Sequence, residues 1–447
     1  MEPMRTCKLF GAIRAVLGIK GALPVIHGPL GCTYHIRYLL GARSGSKIKI
    51  VSTELTQEDV VFGAEQKLKE EIIHSDKTYS PSLIVVLSSC STSIIGEDIF
   101  RVARESRKHI NAEILAISAG GFEGNQTDGY LEVMMALIDW ATAKQDDLKR
   151  KLGAELKNKI NLNQTPKNKS KAINSFKEEK PDHNVKLFNS KSYFKSGNSY
   201  QKSLNLIGIF RGGPDLNYLK SMLAKMGIEL NCVLTAGATL EDIQKIPYAD
   251  LNYSMCDISG IEPCKTLEKR FNTPFLHYPF PMGFSNSSQF FKNICDYLEV
   301  DYSLKNEEIE YKSIKREYSR KFKGYKVAII AGPTRAVALA DLALELNMDP
   351  VLISLDLMGE YTLENLENTF SKFKKQNYKP DILQEPDMEL IEEALRQEGA
   401  DMIWGGLGEV GFSKELNIPL LDVMHSQELT LGWEGAMEIL KRINQFL

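Results

Sequence analysis

One rhythm constrains this chain more than any other feature. A short run of leucine and β-branched residues, a turn and an amphipathic stretch recur along most of its 447 residues. Runs such as Leu83–Leu87 and Leu204–Phe210 are apolar at nearly every position, so both faces of each strand must be covered, as in a parallel sheet flanked by helices. The first unit reads as strand Ala22–His27, a loop, strand Ile48–Ser52, helix Glu58–Ser75, strands Leu83–Leu87 and Glu113–Ser118, and a helix from Gly129 to Lys144. The second reads as strand Leu204–Phe210, helix Leu216–Met226, a strand after Gly227 and the stretch Ala249–Ser254. A third opens at Lys326, with helix Arg335–Leu346 and strands Pro350–Leu355, Met402–Trp404 and Leu420–Val423. Three units of one style predict an α/β fold: three Rossmann-like, doubly wound domains with parallel sheets around a central cleft.

Residues 1–147, 204–325 and 326–447 are the spans expected for these domains. Between them, 148–203 changes texture: Lys, Asn and Ser dominate, and too little apolar surface is present to offset the entropy of ordering. A helix tail followed by a flexible insertion is expected there. Over the whole chain, 43% hydrophobic and 25% charged residues describe an ordinary globular protein, and a net charge of -3 gives no reason to expect nucleic acid. No apolar run approaches the roughly 18 residues of a membrane span, and Met1 does not lead into a signal-peptide core. A cytoplasmic protein with no membrane partner is expected.

In a reducing compartment, seven cysteines are free or metal-bound rather than paired, and an odd count agrees. Cys7, Cys32 and Cys90 stand apart because each sits in a polar or glycine-bearing phrase: Thr6-Cys7-Lys8, His27-Gly28-Pro29-Leu30-Gly31-Cys32 and Ser89-Cys90-Ser91. Glycine lets backbone approach a bulky group and offer N–H donors to sulfur, and thiolate is the ligand that iron-sulfur centres select. Three thiolates from three loops cannot fill an iron-sulfur cube, so a fourth ligand or a partner subunit is implied. Cys90 also falls past the carboxyl end of a strand, where ligands collect in open sheets.

The remaining candidates divide. Cys232, Cys264 and Cys295 sit in apolar or helical contexts and read as packing residues. Cys256 follows a strand of the second unit, and His425 lies just past one in the third. His74, His109, His183 and His277 lack ligand-like company. The turns Gly212-Gly213-Pro214 and Gly332-Pro333-Thr334 follow strands and open helices, yet neither matches a dinucleotide or P-loop fingerprint. Any ATP must therefore be handled elsewhere.

With intervals of 25 and 58 residues, Cys7, Cys32 and Cys90 resemble the cysteines of the nitrogenase component 1 superfamily. There the first precedes a Gly-Ala turn, the second ends a His-Gly-x-x-Gly-Cys phrase, and the third begins a Cys-x-x-x-Ile-Gly-Asp-Asp phrase, with Glu97 here replacing the first aspartate. Val60-Val61-Phe62-Gly63 is similar to the family's Val-Phe-Gly-Gly segment, Leu267–Pro274 to a second-domain stretch, and Gly432-Trp433-Glu434-Gly435 to a C-terminal phrase.

The resemblance implies that Cys7, Cys32 and Cys90 are ligands of an interface cluster, a [4Fe-4S] or P-cluster type, completed by a second copy or a homologous subunit. It aligns Cys256 and His425 with the two ends of an inner cofactor, so a second complex metallocluster is implied there, with His425 also a candidate proton shuttle. It further implies a P-loop, ATP-dependent iron-sulfur reductase as electron donor. The expected function is an iron-sulfur subunit of a nitrogenase-like two-component reductase. The alternatives are a scaffold for assembly of the nitrogenase iron-molybdenum cofactor and a Rossmann-type binding protein with structural cysteines.

Overall fold

The computed structural model describes residues 6–44, 48–162, 201–210, 212–372, 380–424 and 428–446. The first region carries strands β1 (Ala22–His27), β2 (Val51–Ser52), β3 (Leu83–Ser88) and β4 (Glu113–Ile117). Its helices are α1 (Lys8–Gly18), α2 (Leu30–Ser44), α3 (Gln57–Phe62), α4 (Glu65–Tyr79), α5 (Cys90–Ile95), α6 (Ile99–Ser106) and α7 (Gln126–Leu162). The second contains β5 (Ser203–Ile209), β6 (Glu229–Thr235), β7 (Leu251–Ser254) and β8 (Phe275–His277). With them run α8 (Pro214–Lys225), α9 (Leu240–Gln244), α10 (Ile261–Phe271), α11 (Phe284–Leu298) and α12 (Lys305–Lys321). The third holds β9 (Lys326–Ala331), β10 (Asp349–Leu355), β11 (Asp381–Gln384), β12 (Met402–Gly405) and β13 (Leu420–Asp422). Its helices are α13 (Pro333–Glu345), α14 (Thr362–Lys372), α15 (Met388–Glu398), α16 (Val410–Leu416) and α17 (Gly432–Ile443).

These strands form three sheets ordered β2-β1-β3-β4, β6-β5-β7-β8 and β11-β10-β9-β12-β13, parallel at every pairing. The α/β, Rossmann-like reading of the sequence therefore holds. In each sheet the order reverses once, at β1/β3, β5/β7 and β9/β12, the place past whose carboxyl ends ligands collect in open α/β sheets. Strand β3 is buried at all six positions, which is why its sequence runs apolar instead of alternating.

The core does not respect the sheets. One cluster joins Ile13 and Val16 of α1 and Leu137 of α7 to Leu234, Cys264 and Leu267 of the second region. A larger one runs from Leu219 and Phe290 to Leu339, Trp404 and Trp433. Smaller clusters cover the remaining faces of the first and third sheets, so both are sandwiched.

Several expected elements are corrected. The helix expected over Glu58–Ser75 is two, broken where Gly63 adopts φ 88°. The strand expected over Ile48–Ser52 shrinks to Val51–Ser52, a short edge strand. The loop expected after His27 is the helix α2, whose outward face carries Leu30, Tyr34 and Tyr38 in the open, so no amphipathic pattern marks it. The expected Gly-Ala turn after Cys7 lies inside α1. A Cβ on Gly11 would overlap the Gln126 carbonyl, and one on Gly129 would overlap that of Lys8, so the glycine pair lets α1 and α7 cross backbone to backbone. The helix expected from Gly129 to Lys144 is longer, Gln126–Leu162. Residues 163–200 of the expected insertion lie outside the described residues.

Candidate functional site

The thiols are assembled by the switch point of the first sheet. Strands β1 and β3 lie side by side with His27 opposite Ser88, so the chain leaves both at one place. The His27 carbonyl accepts from the Ser89 N–H (3.1 Å) and the Thr92 hydroxyl (2.9 Å). Gly28 is required at this approach, since a Cβ there would come within 2.5 Å of Ser89 Oγ. Helices α2 and α5 consequently begin next to each other, with Cys32 in the first turn of one and Cys90 opening the other.

Cys7 arrives from a different direction. It precedes α1 and bridges to Asn125, fixed by Lys8 N–H donating to the Gly124 carbonyl (3.1 Å) and Gln126 N–H to that of Thr6 (3.0 Å). The turn before Gly124 then meets both cysteines: Gly121 N–H donates to Cys90 Sγ at 3.1 Å. A Cβ on Gly121 would stand 3.2 Å from both Cys7 Cβ and Cys90 Sγ. Burial, then the neighbouring Cys90 and Cys7, push the Cys32 thiol up. Three cysteines separated by 83 residues of sequence thus face one another.

They were expected on loops and instead stand at helix starts, where unpaired backbone N–H groups favour an anionic ligand. Among the described residues no group of three or more His, Cys, Asp or Glu side chains could hold a single metal ion. The donor set instead suits a larger, sulfur-rich group: soft ligands, a cradle kept free of Cβ at Gly121, and an N–H directed at sulfur.

Around the thiols the surface is apolar. Leu30, Tyr34, Ile94 and Phe122 are 54%, 71%, 72% and 62% exposed, and Val61 and Phe62 at the end of α3 are 74% and 87% exposed. So much exposed apolar side chain marks a surface that meets another molecule. Helix α3 is braced by a Thr56/Asp59 capping box and by Lys67, which reaches Asp59 at 2.7 Å and holds its carboxyl down at about 2.

Three polar residues beneath this surface were read from the sequence only as members of the cysteine phrases, with no role of their own. His27 is fully buried, its Nδ1 3.0 Å from Thr53 Oγ1 and its Nε2 3.3 Å from Glu97, whose other oxygen accepts from Ala64 N–H at 2.8 Å. Burial pulls His27 down, against the pull of Glu97 in the other direction. Glu97, the departure from the family's aspartate, spans from the end of β1 to the α3–α4 junction. Lys8, next to Cys7, is buried between Glu123 (3.1 Å) and Glu132 (2.9 Å). The only sequence signal for these residues was adjacency to the cysteine phrases.

The inner cleft is built differently. Cys256 follows β7 and is half-buried; its sulfur accepts from Ser259 N–H at 3.5 Å, and a Cβ on Gly208 would stand 3.1 Å from its Cβ. Its neighbour Asp257 reaches the third region: its N–H donates to Thr334 Oγ1 (2.8 Å), and its carboxylate accepts from Thr362 Oγ1 (2.6 Å) and Tyr361 N–H (3.2 Å). A second strut, Asp215, accepts from Thr430 N–H (2.6 Å), Leu431 N–H (3.0 Å) and the Arg335 guanidinium (3.4 Å). Between β7, β8 and α13 lies a pocket lined by Asp257, His277, Thr334 and Asn365. His277, read from the sequence as lacking company, lines this pocket and packs at a tilt against Tyr361, ring centroids 4.3 Å apart. His425 lies outside the described residues.

The other cysteines behave as packing residues. Cys232, Cys264 and Cys295 are 2%, 0% and 5% exposed, and burial pushes the Cys295 thiol up to about 11. The Gly-Trp-Glu-Gly phrase also has a packing origin. A Cβ on Gly432 would overlap the Tyr218 ring, and Trp433 is buried on Phe291 at 5.4 Å. The two glycine turns open α8 and α13, each with proline in the first turn.

Three parallel sheets in this arrangement are a fold shared with a solved nitrogenase structure. A solved structure titled "Nitrogenase Cp1 at pH 6.5" superposes with TM-score 0.77 at 18% identity, over 100% of this chain and 93% of that one. The family model for nitrogenase component 1 type oxidoreductases matches residues 7–447, and the chain belongs to that family. Among curated relatives, the nitrogenase iron-molybdenum cofactor biosynthesis protein NifE of Methanosarcina barkeri is 26% identical over 98% of this chain and 88% of its own length. That of Clostridium pasteurianum is 24% identical over 98% and 86%. The nitrogenase molybdenum-iron protein beta chain of Methanothermobacter thermautotrophicus is 24% identical over 99% and 93%. Among the described residues no helix is long and apolar enough to cross a membrane.

Proposed function

We propose that this chain is the iron-sulfur subunit of a two-component, nitrogenase-like reductase, with Cys7, Cys32 and Cys90 as cluster ligands at a subunit interface. The observation that carries the reading is the Gly121 N–H directed at Cys90 Sγ beside Cys7, in a cradle that opens onto exposed apolar side chains. A bound [4Fe-4S] or P-cluster type group would take up and release single electrons. The protein's part is to hold it: thiolates at helix starts, an N–H on sulfur, and a rim that a second copy or a homologous subunit covers, excluding water. Val61 and Phe62, stiffened by the α3 cap, fit the docking of a P-loop, ATP-dependent iron-sulfur reductase. Cys256, with His425, is the proposed anchor of an inner ligand or second metallocluster. Spans 1–147, 204–325 and 326–447 are the proposed domains, and the cytoplasm the proposed location.

The test is anaerobic purification with iron and sulfide analysis and EPR of the wild type beside Cys32→Ala and Cys256→Ala. Loss of one signal in the first variant and an independent one in the second is the expected result, and a folded, colourless, metal-free wild type would overturn the reading. A scaffold role in iron-molybdenum cofactor assembly is the second reading, favoured by the NifE relatives. Reduction of small substrates in the presence of the ATP-dependent reductase separates the two.

A further inference from the structure

We propose that the ion pair between Lys8 and Glu123 is the positioning device of the thiol cradle: it holds the Gly121 N–H on Cys90 Sγ and, through its buried cation, sets how readily a group held by the thiols accepts an electron. This rests on the reductase reading above. Glu123 belongs to the turn that supplies Gly121, and its N–H closes that turn on the Gly120 carbonyl at 2.9 Å. Its carboxylate is held from three elements. Lys8 Nζ, one residue past Cys7 on α1, donates to Oε2 at 3.1 Å, and the Ser118 hydroxyl, just past β4, donates to Oε1 at 2.9 Å. Ser93, one turn of α5 beyond Cys90, hydrogen-bonds it as well. A single side chain therefore ties the Cys7 segment, the Cys90 helix and the N–H on sulfur into one unit. The flanks of the turn have anchors of their own, Ala119 N–H on Ser88 Oγ (2.8 Å) and Lys8 N–H on the Gly124 carbonyl (3.1 Å). The carboxylate is thus needed for the aim of Gly121 and not for the fold around it.

The same pair fixes a charge beside Cys7. Burial works against the Lys8 ammonium, but the hydrogen bonds and attraction of Glu132 and Glu123 outweigh that and keep it charged. Glu132 lies on α7 and is partly exposed, so water screens its share of the compensation more than that of Glu123. A fixed cation and an N–H on sulfur both favour the reduced, more negative form of a sulfur-rich group, and breaking the pair by removing Lys8 weakens both together. The step concerned is one electron passed from the P-loop reductase, which is oxidised, to the group in the cradle, which is reduced; no bond forms or breaks and no proton moves.

The test uses the full chain. In the metal-free protein, hydrogen exchange is expected to speed at least about tenfold over residues 120–124 in Glu123→Ala, with β4 and α7 protected as in the wild type. After anaerobic reconstitution with iron and sulfide, a redox titration followed by EPR should find Lys8→Met reduced at a potential lower by about 60 mV or more, a tenfold fall in the reduced-to-oxidised ratio. Lys8→Arg, which keeps the cation, is expected to hold that ratio within about twofold of the wild type. Lys8→Gln, polar and uncharged, takes the place of Lys8→Met should that variant not fold. Wild-type exchange in Glu123→Ala, or an unshifted potential in the uncharged Lys8 variant, would overturn the proposal while leaving the reductase reading intact. Equal shifts in the uncharged variant and Lys8→Arg would make side-chain shape the cause and overturn it too. A wild type that binds no cluster sinks both readings together.

Discussion

The thiol face of the first sheet and the cleft between the second and third sheets occupy equivalent places, each at a point where strand order reverses, yet they are finished in opposite ways. At the first, the chain leaves its thiols uncovered: Cys7 and Cys90 are exposed, Gly121 contributes no side chain, and apolar residues ring the site. At the second, the chain fills the crevice itself, with Asp215 and Asp257 laid across as hydrogen-bonded struts. One topology can therefore present an unfinished surface that a partner completes or a closed interior that stabilises the chain. The difference lies in the few residues just past the carboxyl end of each strand.

The sharpest way to break this contrast is through metal content. If the first site alone is an open cradle, Cys7→Ala, Cys32→Ala and Cys90→Ala should each lose nearly all iron after anaerobic reconstitution, whereas Cys232→Ala, fully packed, should keep wild-type iron and lose stability instead. Retention of iron in all three would end the idea of a shared site. Next in size is Gly11→Val, which drives a side chain into the Gln126 carbonyl and separates α1 from α7; unfolding in urea should show a loss of about 3 kcal/mol, with Cys7 displaced and iron reduced.

On the closed side, Asp215→Ala removes the acceptor of two backbone N–H groups and of Arg335, and a loss of about 2–4 kcal/mol is expected in the same assay with iron at the first site unchanged.

A smaller, pH-dependent effect sits on α13, which forms one wall of the cleft. Burial, reinforced by Glu345, pushes the Asp341 carboxyl up to about 6 from 3.8. Between those values the folded chain keeps a proton that the unfolded chain has released, so stability falls as pH rises through the window and the penalty is complete above it. Asp341→Asn should therefore be more stable than wild type by about 1–3 kcal/mol near neutrality, with the advantage vanishing below about pH 4. The smallest effect on folding belongs to Phe62→Ser, at 87% exposure: thermal unfolding should be nearly unchanged while affinity for the proposed reductase falls. An equal loss of both would place Phe62 in the fold and not at a docking surface.

The legibility of the chain followed the same divide. Strands such as β3 and β9 were readable because burial on both faces leaves only apolar residues, and the cysteine phrases because glycine beside thiol has few other uses. Helix α2 was missed because its outward face is apolar, which erases the periodicity expected of a surface helix. His277 was set aside because nothing near it in sequence is chemical; its company, Asp257 and Tyr361, comes from other strands and another sheet.

By itself the sequence determined the α/β class, the threefold recurrence and which cysteines stand outside the core, since these depend on local composition and on glycine next to thiol. Only the tertiary structure decided that residues 7, 32 and 90 meet, that they do so at helix starts, and that the second switch point is closed where the first is open. The physical reason is that strand order and the approach of loops from different units are set by long-range packing, which no window of neighbouring residues records.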